Sequence, residues 1–294
     1  MDLRQLKYFT VIAQTQSFSR AAELLNIAQP ALSRQIQQLE EDLQVTLINR
    51  ETRPISLTNA GVFFLDQTTK ILHKLNDITI STKRLDAGGR TWMGVGFVPS
   101  TLYGFLPKVM RRFSSTHPEI DVTLSEMTSL QQADALKSYR IDIGFGRVPI
   151  QDDFISNVVL AREALVAAVP SPGPLSDLAT VGMLDLLQET LILYPVTPRP
   201  SFADQVLKQF SVRGYAVQNI LETNGLHTAL GMVAAGIGTA FVPSSVQTLQ
   251  RADIAYRPIA ENGLETQLIM SVRNGEMSTQ VKAFQSVIFS TLRA

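Results

Sequence analysis

The chain has 294 residues, 45% of them hydrophobic, with no cysteine and a formal net charge of +0, which is length and apolar content for two or three packed domains. The missing cysteines exclude disulfides, thiolate metal sites and a thiol redox switch, and the balanced charge excludes a bulk basic field. No apolar run of about 18 residues is available to span a membrane, and Met1 leads directly into a charged amphipathic segment, so a cytoplasmic protein with no membrane partner is expected.

In chain order, Leu3, Leu6, Phe9, Ile12 and Ala13 form the apolar face of a first helix. Ser19 is the predicted N-cap of a second, with Ala21, Ala22, Leu24 and Leu25 turned inward. Asn26-Ile27-Ala28 then makes a turn of helix-turn-helix length. A third helix follows, with Leu32, Ile36, Leu39 and Leu43 at helical spacing. Its outer face carries Pro30, Arg34, Gln37, Gln38 and Glu41, with Ser33 on the flank.

The acids Glu40, Glu41 and Asp42 sit in the last turns of that third helix, so its N-terminal half is the one suited to approach phosphates. Gln29, Ser33 and Arg34 are placed to meet base edges, since Gln suits adenine and Arg suits guanine. Residues 1–60 hold six cationic residues (Arg4, Lys7, Arg20, Arg34, Arg50, Arg53) and six acidic ones (Asp2, Glu23, Glu40, Glu41, Asp42, Glu51). DNA binding would therefore depend on local placement of charge. A β-hairpin wing is expected over Val45–Leu57, with Arg50 and Arg53 near its tip, within reach of phosphate or the minor groove.

Thr58 caps a long helix running to about Leu85. Phe64, Ile71, Ile78 and Leu85 recur every seven residues, a stripe that asks for a partner helix over roughly 40 Å. The expected role is a short dimer seam holding two reading heads at the spacing of two half-sites.

Ala87-Gly88-Gly89 marks a linker, and the pattern then changes to alternating strands and helices, the sign of an α/β domain with a parallel sheet. Strands are expected at Thr91–Phe97, Val122–Glu126 and Ile141–Phe145, with helices at Ser100–His117 and Ser129–Ser138. A second set has strands at Leu165–Val169, Leu191–Tyr194, Val217–Leu221 and Thr239–Val242, with helices at Ser201–Arg213 and Leu226–Ala235. Strands near Ile254–Tyr256 and Leu268–Val272 lead to a last helix, Thr279–Leu292. Two similar sets joined by two extended crossings make a pair of lobes around a cleft.

In such sheets ligands sit where strands end and helices begin. Pro99-Ser100-Thr101, Thr128-Ser129 and the run from Thr197 to Phe202 occupy that place, each offering free N–H groups with a hydroxyl, a carboxylate pocket. An ordinary N-cap is the plain alternative for each taken singly. Arg147 and Arg199 are candidate carboxylate partners, with a structural salt bridge as the alternative. Asn224 and His227 begin the helix opposite.

No chemistry beyond binding is legible. His73, His117 and His227 are scattered without metal-ligand spacing. Nucleophile elbow, P-loop and dinucleotide fingerprint are all missing, so neither enzyme activity nor a cofactor is expected. Two function classes remain: a DNA-binding regulator, or a cytoplasmic small-anion sensor or binding protein without DNA binding.

MDLRQLKYF, SFSRAAELLNIAQPALSRQIQQLEEDL, INRETRPISLTNAG, GFV, GFGR and LGMVAAGIG, in that order over the whole chain, resemble the LysR-type transcriptional regulators. Within that family IAQPALSRQIQQLE, DALKSYRIDIGFGR and PRPSFADQV are similar to the regulators of catechol and chlorocatechol catabolism, which respond to muconate-type dicarboxylates. The resemblance implies an α+β multidomain fold: a winged helix-turn-helix at 1–58, a linker and dimerisation helix at 59–89, and a two-lobed periplasmic-binding-protein-like effector domain at 90–294. Lobe I would comprise about 90–162 and 269–294, and lobe II about 163–268. It further implies promoter DNA, a muconate-like carboxylate and RNA polymerase as partners, assembly as a tetramer of two dimers, and activation. It puts Ser100, Ser129, Thr197 and Phe202 at effector-contacting positions.

Overall fold

The structure, a computed structural model, describes residues 1–52, 54–86 and 91–293, with side chains between 70 and 86 described only at 71, 72, 75, 78, 79 and 82. The chain divides into two compact units, Met1–Gly88 and Gly89–Ala294.

The first unit opens with α1 (Leu3–Thr15), whose N-terminus is closed by Asp2 and Gln5 capping one another. The next helix, α2 (Phe18–Leu25), is capped by Ser17 and not by Ser19, because the Ser17 oxygen is the one that meets the N–H of Arg20. Asn26 ends α2 in the left-handed region, and α3 (Gln29–Leu43) begins after Ala28 with Pro30 in its first turn. Phe9, Ile12, Ala21, Ala22, Leu32, Ile36, Leu39, Leu47 and Ile48 form one buried core. Leu24 was expected inside but is 65% exposed, since α2 is only two turns long and shows its neighbours one narrow face.

Two short strands, β1 (Ile48–Asn49) and β2 (Ser56–Leu57), pair antiparallel as the wing. Thr58 accepts the N–H of Gly61 and so caps α4 (Asn59–Asp86). Gly61 has to be glycine: a Cβ there would fall 2.0 Å from the Leu47 carbonyl oxygen. Phe64 packs edge-on against Phe9 with ring centres 5.2 Å apart, which seats the start of α4 on the head. Ile71 and Ile78 are 47% and 51% exposed, seven residues apart on the helix. The Leu85 side chain and the Ala87-Gly88-Gly89 linker lie outside the described residues.

The second unit begins with β3 (Thr91–Phe97), followed by a 3-10 turn (Pro99–Tyr103), α5 (Phe105–Thr116), β4 (Ile120–Glu126), α6 (Ser129–Lys137) and β5 (Ile143–Gly146). The single helix expected over Ser100–His117 is thus divided at Gly104, whose backbone leaves helical geometry. A long strand, β6 (Ile155–Pro170), crosses from the first lobe to the second.

Next come α7 (Met183–Leu186), β7 (Leu191–Leu193), α8 (Phe202–Ser211), β8 (Ile220–Glu222) and α9 (Leu226–Ala234). They are followed by β9 (Ala240–Pro243), β10 (Ile254–Pro258), β11 (Glu265–Arg273) and α10 (Thr279–Leu292). β11 carries the chain back to the first lobe.

The expected parallel sheet is in fact mixed. β3 runs parallel to β4 and β5, whereas β11 is antiparallel to both β5 and β6. The reason is the two crossings, which enter the sheet in opposite directions. The first lobe packs Val95, Phe113, Phe145 and Phe284 at its centre. The second packs Phe202, Phe210, Leu230 and Phe241. Among the described residues no helix is long and apolar enough to cross a membrane.

Candidate functional site

In the head, Gln29, Pro30, Arg34 and Gln37 are exposed along α3 and Ser33 is half-buried on its flank. Ala28 provides no side-chain cap, so the first turn of α3 presents its open end to solvent. Ser19 and Gln29 both line the shallow groove beside the turn. Arg34 makes no ion pair with a described residue. Arg50, by contrast, is held 2.6 Å from Glu40, and Arg53 lies outside the described residues. The acids closing α3 are similarly engaged: Asp42 pairs with the Met1 ammonium at 2.6 Å, whose hydrogen bond holds its carboxyl below the ordinary range.

Between the lobes of the second unit lies a cleft of about 360 Å³. Pro99, Ser100, Thr128, Ser129 and Arg147 line it from the first lobe, and Thr197, Phe202 and Asn224 from the second. Each wall is built on a helix start. Thr128 and Gln131 cap α6 reciprocally, which leaves the N–H groups of Ser129 and Leu130 without an acceptor among the described residues. Ser201 caps α8 by accepting the N–H of Ala203, and the N–H of Phe202 is left in the same condition. Uncapped helix N–H groups with the dipole behind them favour an anion.

The Ser129 oxygen accepts from the backbone N–H groups of Arg147 at 3.1 Å and Val148 at 3.3 Å. Gly146 permits this approach, since a Cβ there would stand 2.6 Å from that oxygen. Arg147 is 4% exposed. Its Nε donates to Ser100 Oγ at 3.1 Å and its Nη1 lies 2.7 Å from the Glu163 carboxylate. Both serines therefore spend acceptor capacity on the protein and keep an O–H to give a ligand. Burial pushes the Tyr194 phenol well above its usual range, so it stays neutral beside the cleft.

Three expected residues are not in the wall. Thr101 turns inward and donates to the Val98 carbonyl at 2.8 Å. Arg199 pairs with Asp204 at 2.7 Å and also with Glu222, so its charge is consumed within the second lobe. His227 is bonded to the Tyr103 hydroxyl at 2.7 Å.

Sequence reasoning missed Glu163 and Gln205, which hold Arg147 by its guanidinium and, at 2.7 Å, by its backbone carbonyl. No local pattern announces either. The T-x-x-Q capping box at Thr128–Gln131 was a legible signal for the uncapped N–H groups of α6. Among the described residues no cluster of metal-ligand type is present.

The family model for the LysR substrate binding domain matches residues 90–292, and that for bacterial regulatory helix-turn-helix proteins of the lysR family matches residues 3–62. The chain belongs to the LysR family of transcriptional regulators. It is 46% identical over 288 residues to the regulator CatR of Pseudomonas putida, covering 98% of both chains. It is 39% identical to the regulator BenM of Acinetobacter baylyi, covering 98% of this chain and 95% of that one. Full-length BenM superposes at TM-score 0.64 with 38% identity, over 100% of this chain and 97% of that chain.

Full-length CbnR complexed with its target DNA superposes at TM-score 0.70 with 31% identity, over 99% and 100%. The winged helix-turn-helix, long helix and two-lobed domain read from the sequence are the architecture of this LysR-family regulator. A LysR-family protein is a regulator and not an enzyme. A binding protein without a DNA-reading head is set aside by the match over residues 3–62.

Proposed function

We propose that this LysR regulator is a cytoplasmic activator of genes for the degradation of catechol- or chlorocatechol-type aromatic compounds, and that its effector is a small dicarboxylate of the cis,cis-muconate or chloromuconate class. One observation carries the effector reading: N–H groups with no acceptor among the described residues stand at two helix starts, one in each lobe, and line a single cleft together with Ser100, Ser129 and Arg147. An anion at each end of a short ligand would meet both walls. CatR and a probable cat1 operon activator from Acinetobacter lwoffii, 46% and 40% identical, support the pathway. The BenM effector domain has been solved with benzoate as its effector, which supports a carboxylate.

In this reading Pro99, Ser100, Thr128, Ser129, Arg147, Thr197, Phe202 and Asn224 contact the effector. Ser19, Gln29, Pro30, Ser33, Arg34, Gln37, Arg50 and Arg53 face DNA. The chain divides into a head at 1–58, a dimerising helix at 59–89 and an effector domain at 90–294. Two dimers assemble through the exposed stripe on α4 and the effector domains. The effector shifts the population between two arrangements of that tetramer, and RNA polymerase is the partner of the activating one.

A thermal-shift titration of the full chain with muconate isomers, benzoate and acetate tests the effector. Ligand binding to the folded state alone raises the melting temperature by mass action. A rise with a muconate isomer that exceeds the rise with acetate is expected. A flat response to every muconate isomer overturns the dicarboxylate reading.

A further inference from the structure

Glu40 stands one turn from the end of α3, where a helix dipole disfavours a carboxylate, and the last turn of α3 has no basic residue to offset it. Its side chain is nonetheless largely buried. Oε1 accepts the backbone N–H groups of Leu47 at 2.8 Å and Ile48 at 3.1 Å, the two residues that lead into the wing. Oε2 accepts Nη2 of Arg50 at 2.6 Å, just past β1. The Arg50 guanidinium also lies 5.9 Å from the centre of the Phe18 ring at the start of α2. One carboxylate thus ties the recognition helix to both ends of the first wing strand.

The wing needs this tie. Its own ladder consists of two residue pairs, Ile48 with Leu57 and Asn49 with Ser56, too few to fix its direction relative to α3. Arg50 makes no hydrogen bond from Nε or Nη1 to a described residue, so the edge away from Glu40 keeps donors for a phosphate.

We propose that Glu40 is a positioning residue for DNA binding: it sets the wing against the recognition helix and holds Arg50 with one guanidinium edge presented to the DNA backbone. The inference rests on the reading of Arg50 as DNA-facing, which the single Arg50 variant tests by itself. Its energetic signature is coupling, because Glu40 acts on DNA through Arg50 and not by touching DNA.

The test is a double-mutant cycle on the full chain with two duplexes: the fragment recovered by in vitro selection with the wild-type protein, and a scrambled duplex of equal length and composition. Glu40→Gln keeps an oxygen for the two amides and removes the ionic hold on Arg50. Glu40→Gln and Arg50→Ala are each expected to weaken binding to the selected fragment roughly tenfold, the loss of one charge-assisted contact. The double variant is expected to be no weaker than Arg50→Ala. Because a backbone contact is sequence-independent, Glu40→Gln and Arg50→Ala should weaken binding to the scrambled duplex in similar proportion and leave the preference for the selected fragment unchanged, whereas a general loss of folding would abolish that preference.

If Arg50→Ala binds the selected fragment like wild type, the reading of Arg50 fails. If Arg50→Ala weakens binding and the double variant is weaker by the product of the two, the role of Glu40 fails and that of Arg50 stands. Should Glu40→Gln not fold, hydrogen exchange over residues 45–50 in the wild-type chain decides. Protection of the Leu47 and Ile48 amides supports the tie, and exchange at the rate of an open loop overturns it.

Discussion

Ser129 and Arg147 are joined from both directions across the first lobe: the Ser129 oxygen takes the Arg147 backbone N–H at 3.1 Å, while the Arg147 guanidinium reaches Ser100 at 3.1 Å. The start of α6 and the end of β5 are therefore fixed to each other by the same side chains that line the cleft. Ser129→Ala removes the acceptor of two buried N–H groups as well as the O–H proposed to donate to the effector. A loss of about 1–2 kcal/mol is expected, seen as a fall in melting temperature of about 3–6 °C for a unit of this size. Muconate affinity measured by calorimetry should fall about tenfold. An unchanged affinity would remove Ser129 from the effector site.

Arg147→Met keeps the length of the side chain and strands Glu163, whose other oxygen holds the Ser245 N–H at 2.5 Å. Breaking one side of a buried pair is expensive, about 3 kcal/mol or more. The double variant Arg147→Met, Glu163→Gln should recover a good part of that stability in urea melts. It should not recover effector binding if the guanidinium meets the ligand.

The network at the far end of the sheet predicts an acid limb. Arg273 bonds Asp142 at 2.7 Å and Glu276 at 2.5 Å, and donates to the carbonyls of Leu136 and Ile141. Burial pushes the Glu276 carboxyl up, but hydrogen bonds from Ser278 and the Arg273 charge outweigh it and hold the group below its ordinary value. A depressed carboxyl binds fewer protons folded than unfolded. Its contribution is therefore complete above the ordinary carboxylate range and is lost as pH falls through the folded value. Denaturant midpoints should decline from about pH 5 downward, and Glu276→Gln should flatten that decline.

Arg34 is exposed on α3 and pairs with no described residue, in contrast to Arg50. Arg34→Ala should cost about 1–3 kcal/mol against the selected duplex and relax the preference at one base position if it reads a base edge. A uniform loss on all duplexes, with a salt slope shallower by about one, would make it a phosphate contact instead. Binding measured over a range of salt separates the two.

Much of the head was legible because its signals are local. The stripe Leu32, Ile36, Leu39 and the turn at Asn26 are set within a few residues of chain, and they fold as the spacing demands. So does the last helix, which runs from Thr279 to Leu292 as expected. What was not legible is held by pairings that no local pattern announces, most of them remote in sequence. Arg199 and Arg147 look alike as isolated arginines. Arg199 is neutralised by Asp204 and Glu222 and is not in the cleft wall, whereas Arg147 lines the cleft while Glu163 holds its guanidinium. The antiparallel place of β11 is set by its pairing with β6, roughly a hundred residues earlier, and no local pattern encodes direction.

The strand β6 belongs to both lobes: Ile155–Ala164 pairs with β11, and Leu165–Pro170 with β9 and β10. A hydrogen-bonded strand neither stretches nor slides by half a residue, because a slip of one inverts every side chain. It therefore acts as a spine common to both lobes, with the change of partners at Ala164 and Leu165 as the place where they can turn relative to one another. Neither residue lines the cleft, so opening and closing would amount to a rotation about a point outside its wall. Amide protection along both halves of β6 should stay constant while the angle between the lobes, read by scattering or paired spin labels, responds to effector.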